Sequence, residues 1–550
     1  MPASARKLSV GAGKIKVWRF AVTSGAGADS IGVEVEDRIR LAEVLGALSL
    51  TTDLGAGVPF EKGLRTCVVA SGLGEALELD RADRQALYFA ALLRSLGCTA
   101  HASTFAEMFD DDVAIQRELK TLDLEDPALV PAQTARFAAW AGTKRAEELS
   151  VRFVTEVPAK GAALGRGACE VSAALGARLG LPGGAIAALD EVYERYDGKG
   201  FPAGRAGDTL TLAARVVHVA EQAVLAHFDG GQQSAAEAVE RRAGRQLDPD
   251  ICASFAANLE PITGPLDSPD LLATALAAEP PPVITAATSH LDRVCSAFAT
   301  FADLKGRFLL GHSAHVAELA GRAGALLGYD DQADATLRAA ALLLDIGRVG
   351  VSSAIWDRPG TLGPVDWERV RLHPYWTERI LMRCSALARL APLAAAHHER
   401  LDGSGYHRAA RGIELSSGAR LLAAADAFAA LTETRSYREA HSSSDAACIL
   451  REEVRAGRLD PEAVGAVVEA AGLPHRRAAW PNDLTDREVD VLRVLARGLG
   501  NRQIAEALVL SPRTVQHHLA SVYDKINLHT RAGAAVFAIE HGLIPAAPDI

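Results

Sequence analysis

Aromatic side chains, paired cysteines and long apolar runs are what this sequence lacks. Aromatics make up 5% of the 550 residues, and only three methionines occur. No uninterrupted apolar run approaches the roughly eighteen residues of a membrane-spanning helix. The seven cysteines (Cys67, Cys98, Cys169, Cys252, Cys295, Cys384, Cys448) are scattered and form no CxxC pair. That argues against a zinc site and a disulfide framework, and leaves buried free thiols in a reducing cytosol as the expectation. Met1 to Arg19 carries Arg6, Lys7, Lys14, Lys16 and Arg19, but no apolar core of signal-peptide length follows. Residues 1–37 are therefore expected to be a flexible, cytoplasmic N-terminus. Period-2 alternation is scarce, whereas alanine and leucine recur at helical spacing, so the body reads as all-α. A formal net charge of −11 excludes nucleic-acid binding by the whole surface. Any DNA contact must be local.

An internal repeat is present. Ala90-Ala91-Leu92-Leu93-Arg94-Ser95-Leu96-Gly97 matches Ala340-Ala341-Leu342-Leu343-Leu344-Asp345-Ile346-Gly347, and Glu194 to Pro202 matches Glu399 to His407. The anchors keep their order and nearly their spacing, which predicts two copies of one helical domain. The first copy runs over 38–259 and the second over 284–472. Between them, 260–283 contains Pro280-Pro281-Pro282 and reads as a linker; 473–483, with Pro474 and Pro481, reads as a second one.

The last segment, 484–545, predicts four helices. Thr485 and Glu488 form a capping box, with Val489, Leu492 and Leu495 as the apolar stripe up to Gly498. Asn501 opens a short helix, and Ser511-Pro512 starts a third with proline at its first position. Val515, Leu519, Val522 and Ile526 are expected to face the core; Thr530 caps a fourth helix with Val536 and Ile539 inward. A turn between two helices, the second polar on its outer face, suits a major groove. Leu484-Thr485-Asp486-Arg487-Glu488, Leu499-Gly500-Asn501-Arg502-Gln503-Ile504-Ala505 and Leu510-Ser511-Pro512-Arg513-Thr514-Val515 resemble the LuxR/NarL-type helix-turn-helix. The resemblance implies that Gln516, His517 and Ala520 face base edges and that Arg513, Thr514 and Lys525 lie near phosphates. His518 has packing, phosphate contact and base contact open to it. The last helix is where such modules dimerise, so a homodimer on a two-fold site in double-stranded DNA is expected.

Histidine is concentrated in the second copy, which holds eight of the sixteen. Imidazoles and carboxylates gathered from several helix ends suit iron, manganese or similar divalent metals. Gly311-His312-Ser313, Leu344-Asp345-Ile346-Gly347-Arg348, His373-Pro374, His397-His398-Glu399-Arg400-Leu401-Asp402-Gly403-Ser404-Gly405-Tyr406-His407 and Ala419-Arg420-Leu421 leading to Asp426 resemble the HD-GYP family of metal-dependent phosphohydrolases. The resemblance makes His312, Asp345, His373, His397, His398 and Asp426 metal-ligand candidates for one or two ions, with Asp345 bridging. Asp345 and Arg348 are the candidate catalytic residues. Family members typically hydrolyse cyclic di-GMP, so a cyclic dinucleotide is the implied ligand.

Three departures bear on activity. Leu344 stands where the histidine of the His-Asp pair belongs, Arg348 replaces lysine, and His407 replaces the proline of the Gly-Tyr-Pro turn. Leucine cannot ligate, so one metal position keeps only His312, Asp345 and Asp426; the other retains Asp345, His373, His397 and His398. In the first copy Arg94-Ser95 replace the His-Asp pair, Leu64 is aligned with His312, Val192-Tyr193 replace the histidine pair, and Glu221 stands for Asp426. That copy is expected to be structural or dimerising. Two functions stay open: a DNA-binding transcription regulator with a partly degenerate sensory domain, or an active phosphodiesterase, weakened at Leu344, with a DNA-binding module attached.

Overall fold

Helix follows helix from Leu41 onward. The computed structural model describes residues 38–121, 129–287, 291–474, 480–541 and 543. The expected N-terminal segment 1–37 lies outside the described residues, as do His290 and 475–479. The principal helices of the first half are α1 (Leu41–Gly55), α2 (Lys62–Ala76), α3 (Arg81–Leu92), α4 (Asp112–Thr121), α5 (Thr143–Leu179) and α6 (Leu212–Arg242). Those of the second half are α7 (Leu291–Asp303), α8 (His312–Leu326), α9 (Asp331–Leu343), α10 (His373–Leu381) and α11 (Ser417–Thr432). The C-terminal module consists of α12 (Asp486–Ala496), α13 (Asn501–Leu508), α14 (Pro512–Ile526) and α15 (Arg531–Glu540). Among the described residues the one sheet is a pair of three-residue strands, β1 (Arg38–Arg40) antiparallel to β2 (Thr285–Ala287). No helix among them is long and apolar enough to cross a membrane.

Local chemistry sets these boundaries. Asp80 caps α3, Thr211 caps α6, Asp330 caps α9 and Ser416 caps α11, each accepting a backbone N–H of the first turn. Helix α6 bends at Gly230-Gly231, whose backbone is non-helical. Helix α1, mostly apolar apart from Glu43 and the polar run Thr51-Thr52-Asp53, is buried on nearly every side. Helices α2, α3 and α6 pack on one another, as α8, α9 and α11 do in the second half.

The polar wiring recurs as well. Asp53 accepts from the Gly63 amide at 3.0 Å, and Asp303 accepts from the Ser313 hydroxyl at 2.7 Å. Glu194 accepts from the amides of Ala203 and Arg205; Glu399 does so from Arg408 and Ala410. Arg215 pairs with Asp248 and Arg420 with Asp460.

The stretch expected as a linker, 260–283, is folded. Leu259–Thr263 and Leu271–Ala277 are helical, and Leu266, Leu271 and Ala275 are buried against the first half. Proline and small residues signalled a linker, but the leucines between them supply the burial that holds the segment in place. Six of the seven thiols are buried as expected; Cys448 is exposed.

The halves are joined by a fully buried ion pair. Lys305 binds Asp112 at the start of α4, and Asp112 also accepts from the Ser353 amide at 2.7 Å and the Ser352 hydroxyl at 3.1 Å. Removing one partner of such a pair strands a charge in the interior. Lys305→Met is expected to lower stability by roughly 3–5 kcal/mol in denaturant unfolding. Adding Asp112→Asn should recover part of that loss, because the amide oxygen still accepts from Ser353.

Candidate metal centre and DNA-facing helix

Asp345 ends the alanine-rich α9, where the chain tightens into the turn Ile346–Gly350. Gly347 lets α10 approach: a Cβ there would lie 2.1 Å from the His373 carbonyl oxygen. Thr377 fixes the crossing, donating to the Leu344 carbonyl at 2.9 Å and accepting from the Gly347 amide at 3.0 Å. This carries His373, the first residue of α10, to Asp345.

One side of Asp345 is built from histidines. His373 Nε2 lies 3.3 Å and His397 Nε2 3.5 Å from Asp345 Oδ1, and the two nitrogens are 3.1 Å apart. His398 joins them, and ligand atoms of the three histidines lie within 4.8 Å of one another. The Nδ1 atoms of His373 and His397 donate to the carbonyls of Val370 and Ala394, at 2.6 and 2.7 Å. A carbonyl can only accept, so as neutral rings both turn Nε2 lone pairs toward each other and toward the carboxylate. Burial holds His373 and His398 below the ordinary imidazole range, and His398 is further lowered by the adjoining imidazoles. Asp345 itself is fully buried, and neither of its oxygens receives a well-directed hydrogen bond. Facing lone pairs around Asp345 Oδ1, which has no well-directed donor, fit a divalent cation.

The other side already contains cations. Arg348 Nη2 lies 2.7 Å from Asp345 Oδ2, and Leu344, fully buried, contributes only an apolar wall. His312 Nε2 is 3.1 Å from Asp426 Oδ1 and its Nδ1 is 2.8 Å from Glu433 Oε2. Burial pulls His312 down, but these two carboxylates outweigh it and hold the ring at about 9. Both ring nitrogens thus face carboxylates, and Arg435 Nη2 also lies 3.3 Å from Nδ1. His407 turns away to Glu378 at 3.1 Å, while Tyr406 lies against His398, their ring centres 4.7 Å apart.

All six expected ligands thus converge on one centre, but unequally. Glu433, which binds both His312 and His315, and its partner Arg435 were missed in the sequence, since they follow α11 in no motif. In the first half Glu221 is buried among Lys62, Arg94 at 2.6 Å and Lys120 at 3.6 Å. The group at the start of α2, and so in the place of His312, is Lys62 rather than Leu64. The spacing from Arg94 to Leu344 equals that from Lys62 to His312, and this signal was in the sequence.

In the C-terminal module Val515, Leu519, Val522 and Ile526 are buried as expected. Val536 is not: it is 50% exposed, and Ala534, Phe537 and Ala538 fill the interior instead. The side chain of Ile539 lies outside the described residues. Arg513, Gln516, His517 and Ala520 form one exposed stripe along α14, while Thr514 and His518 are half-buried. The Thr514 hydroxyl meets that of Ser511 at 2.7 Å. Lys525 donates to Glu488 at 2.7 Å and to the Asp483 carbonyl, so its charge is engaged inside the module. Glu488 also accepts from Ser521 and from the Thr485 amide, closing the capping box and tying α12 to α14. Arg493 anchors the module to the second half through the Val454 and Arg455 carbonyls.

Comparison with known proteins defines the class first. Residues 296–463 match the family described as HD domain, and 482–538 match bacterial regulatory proteins of the luxR family. The chain therefore carries an HD domain followed by a LuxR-family DNA-binding domain. Among individual proteins it resembles the 3'3'-cGAMP-specific phosphodiesterase 3 of Vibrio cholerae, 28% identical over 80% of this chain and 96% of that one. A crystal structure of a cyclic GMP-AMP specific phosphodiesterase from V. cholerae matches with a TM-score of 0.55 and 25% identity, covering 80% of this chain and 99% of that chain. The C-terminal module is 46% identical over 59 residues to a nitrate/nitrite response regulator protein homolog of Haemophilus influenzae, 11% of this chain and 28% of that one.

Glu488 gives a pH signature. Burial pushes it up, but Lys525, Ser521 and Thr485 outweigh burial and set it at about 2. Its folded pKa is depressed, so the stability it confers is present above about 4.5 and is lost as pH falls toward 2. Thermal melts of the module's tertiary signal should decline across that window, and Glu488→Gln should flatten the decline.

Proposed function

We propose that this chain is a transcription regulator whose second repeat binds a single divalent metal, iron or manganese, together with a cyclic dinucleotide. In this reading Asp345, His373, His397 and His398 hold the metal, and the LuxR-type module binds double-stranded DNA as a homodimer. The two repeats are copies of one fold, bounded near 38–259 and 284–472, of which only the second retains ligand chemistry. The observation that carries the proposal is the split around Asp345. Three histidines stand at Oδ1, whereas Oδ2 is neutralised by Arg348 beside an apolar Leu344.

A bound ion would neutralise and polarise a phosphodiester oxygen. The chain's own residues supply the remainder. Arg348 packs over Trp356 with its Nε and Nη1 buried and unpartnered, two donors in the planar fork that grips phosphate. Tyr406 walls the site beside His398. Arg348 thus serves as a phosphate anchor, and with the second ion position taken up by Arg348 and His312, two-metal hydrolysis is expected to be slow.

A second reading rests on the similarity over four-fifths of the chain to a protein called a phosphodiesterase. There, hydrolysis persists and DNA binding is subsidiary. Metal analysis combined with turnover of 3',3'-cGAMP and cyclic di-GMP separates the two. The regulator reading expects a single ion per chain and little turnover, with Leu344→His raising both. Robust wild-type turnover that Leu344→His does not increase would establish the second reading instead.

DNA binding is tested independently. Gln516→Ala should cost roughly 1–3 kcal/mol on the preferred site and relax its sequence preference. Arg513→Ala should weaken all sequences alike and reduce the salt slope by about one. Absence of any salt-dependent, sequence-selective binding by the full chain would overturn the regulator reading.

A further inference from the structure

The first half contains a cavity of about 140 Å³ whose lining includes Arg94, Val192, Tyr193 and Glu221, the residues aligned with Leu344, His397, His398 and Asp426. Its inner end is cationic. Lys62, Arg94 and Lys120 surround Glu221, and Asp53, bonded to the Gly63 amide, is the second carboxylate nearby. At this end three cations thus meet Glu221 and Asp53, while Glu194, the other carboxylate on the lining, accepts from the Ala203 and Arg205 amides. Lys120 also donates to the Ser95 hydroxyl at 3.0 Å.

Two buried side chains on the lining have unused polar atoms. Gln116 and His101 are 5% and 7% exposed, and Gln116 Nε2 and His101 Nδ1 have no hydrogen-bond partner. Leaving such atoms unpaired in the interior is costly, and a ligand that pairs with them removes the cost. Burial keeps His101 at about 4 and therefore neutral, so it adds no charge of its own.

The remaining wall is flat and apolar. Tyr193 and Phe201 stack with ring centres 5.7 Å apart and 18° between planes, and Phe105 and Leu164 also line the cavity. Phe201 reaches this place because Gly165 in α5 has no side chain: a Cβ there would lie 2.4 Å from its ring. Excess positive charge, two unused polar atoms and stacked rings define one kind of guest.

We propose that this cavity is a binding site for a small aromatic carboxylate, its anionic end toward Lys120 and Gln116 and its ring against Tyr193, Phe201 and Phe105. The site is separate from the centre at Asp345, and α4 carries Gln116 and Lys120 at one end and Asp112, which binds the second half, at the other. It does not depend on the second repeat binding metal.

The test uses benzoate as the probe, with the neutral benzamide and inorganic phosphate as controls, against the full-length chain in calorimetry and ligand-observed NMR. Benzoate should bind saturably in the sub-millimolar range and benzamide more weakly. Gln116→Leu and Lys120→Met should each weaken benzoate about tenfold or more, the loss of one charge-assisted hydrogen bond. If Lys120→Met fails to fold by circular dichroism, Gln116→Leu decides alone. No saturable benzoate binding, undiminished binding in folded Gln116→Leu, or displacement by phosphate at equal affinity would each overturn the proposal.

Discussion

A carboxylate buried at the centre of a helical fold must be neutralised, and how each half does so decides what that half can do. Moving an unpaired carboxylate out of water costs several kcal/mol even after relaxation. In the first half Glu221 is met by Lys62, Arg94 and Lys120, all from the chain itself. In the second half Asp345 receives one internal cation, Arg348, on one oxygen and a ring of imidazoles on the other. A covalently attached ammonium or guanidinium cannot leave, whereas a cluster of imidazoles suits an exchangeable ion. One half thus holds a fixed salt cluster and the other a candidate metal site.

The substitution at Leu344 is intelligible in these terms. Histidine at that position would bring another nitrogen toward the Oδ2 side; leucine removes it and packs fully buried in the core. Arg348 reaches Oδ2, and His312 lies between the carboxylates of Asp426 and Glu433.

Helix α4 shows how the halves depend on each other. Its first residue, Asp112, is buried against Lys305 and Ser353 of the second half, and its last turn carries Lys120 to Glu221 in the first. Ser353 opens the short helix that ends at Trp356, which lies under Arg348 and edge-on to His373. The C-terminal module joins more lightly, through Arg493 and the end of a helix at Arg455. Its internal fastening is stronger, since Glu488 of α12 binds both Ser521 and Lys525 of α14.

The helices, their caps, the HD domain and the helix-turn-helix were legible in the sequence because each rests on local spacing or a contiguous motif, and the six candidate ligands could be named there for the same reason. Capping residues and apolar periodicity act within a few residues, and motif residues keep their order along the chain. Packing was not legible in the same way. The stretch at 260–283 reads as a linker by its prolines, yet Leu266, Leu271 and Ala275 bury it. Val536 fits a helical stripe, yet the facing helices leave it in solvent. Only the tertiary structure decided that Lys62 and Lys120, with Arg94, surround Glu221, that Glu433 holds His312, and that Arg348 occupies one side of Asp345. Those are charge pairings across long stretches of chain, and a buried charge is satisfied by whichever partner the fold brings within reach.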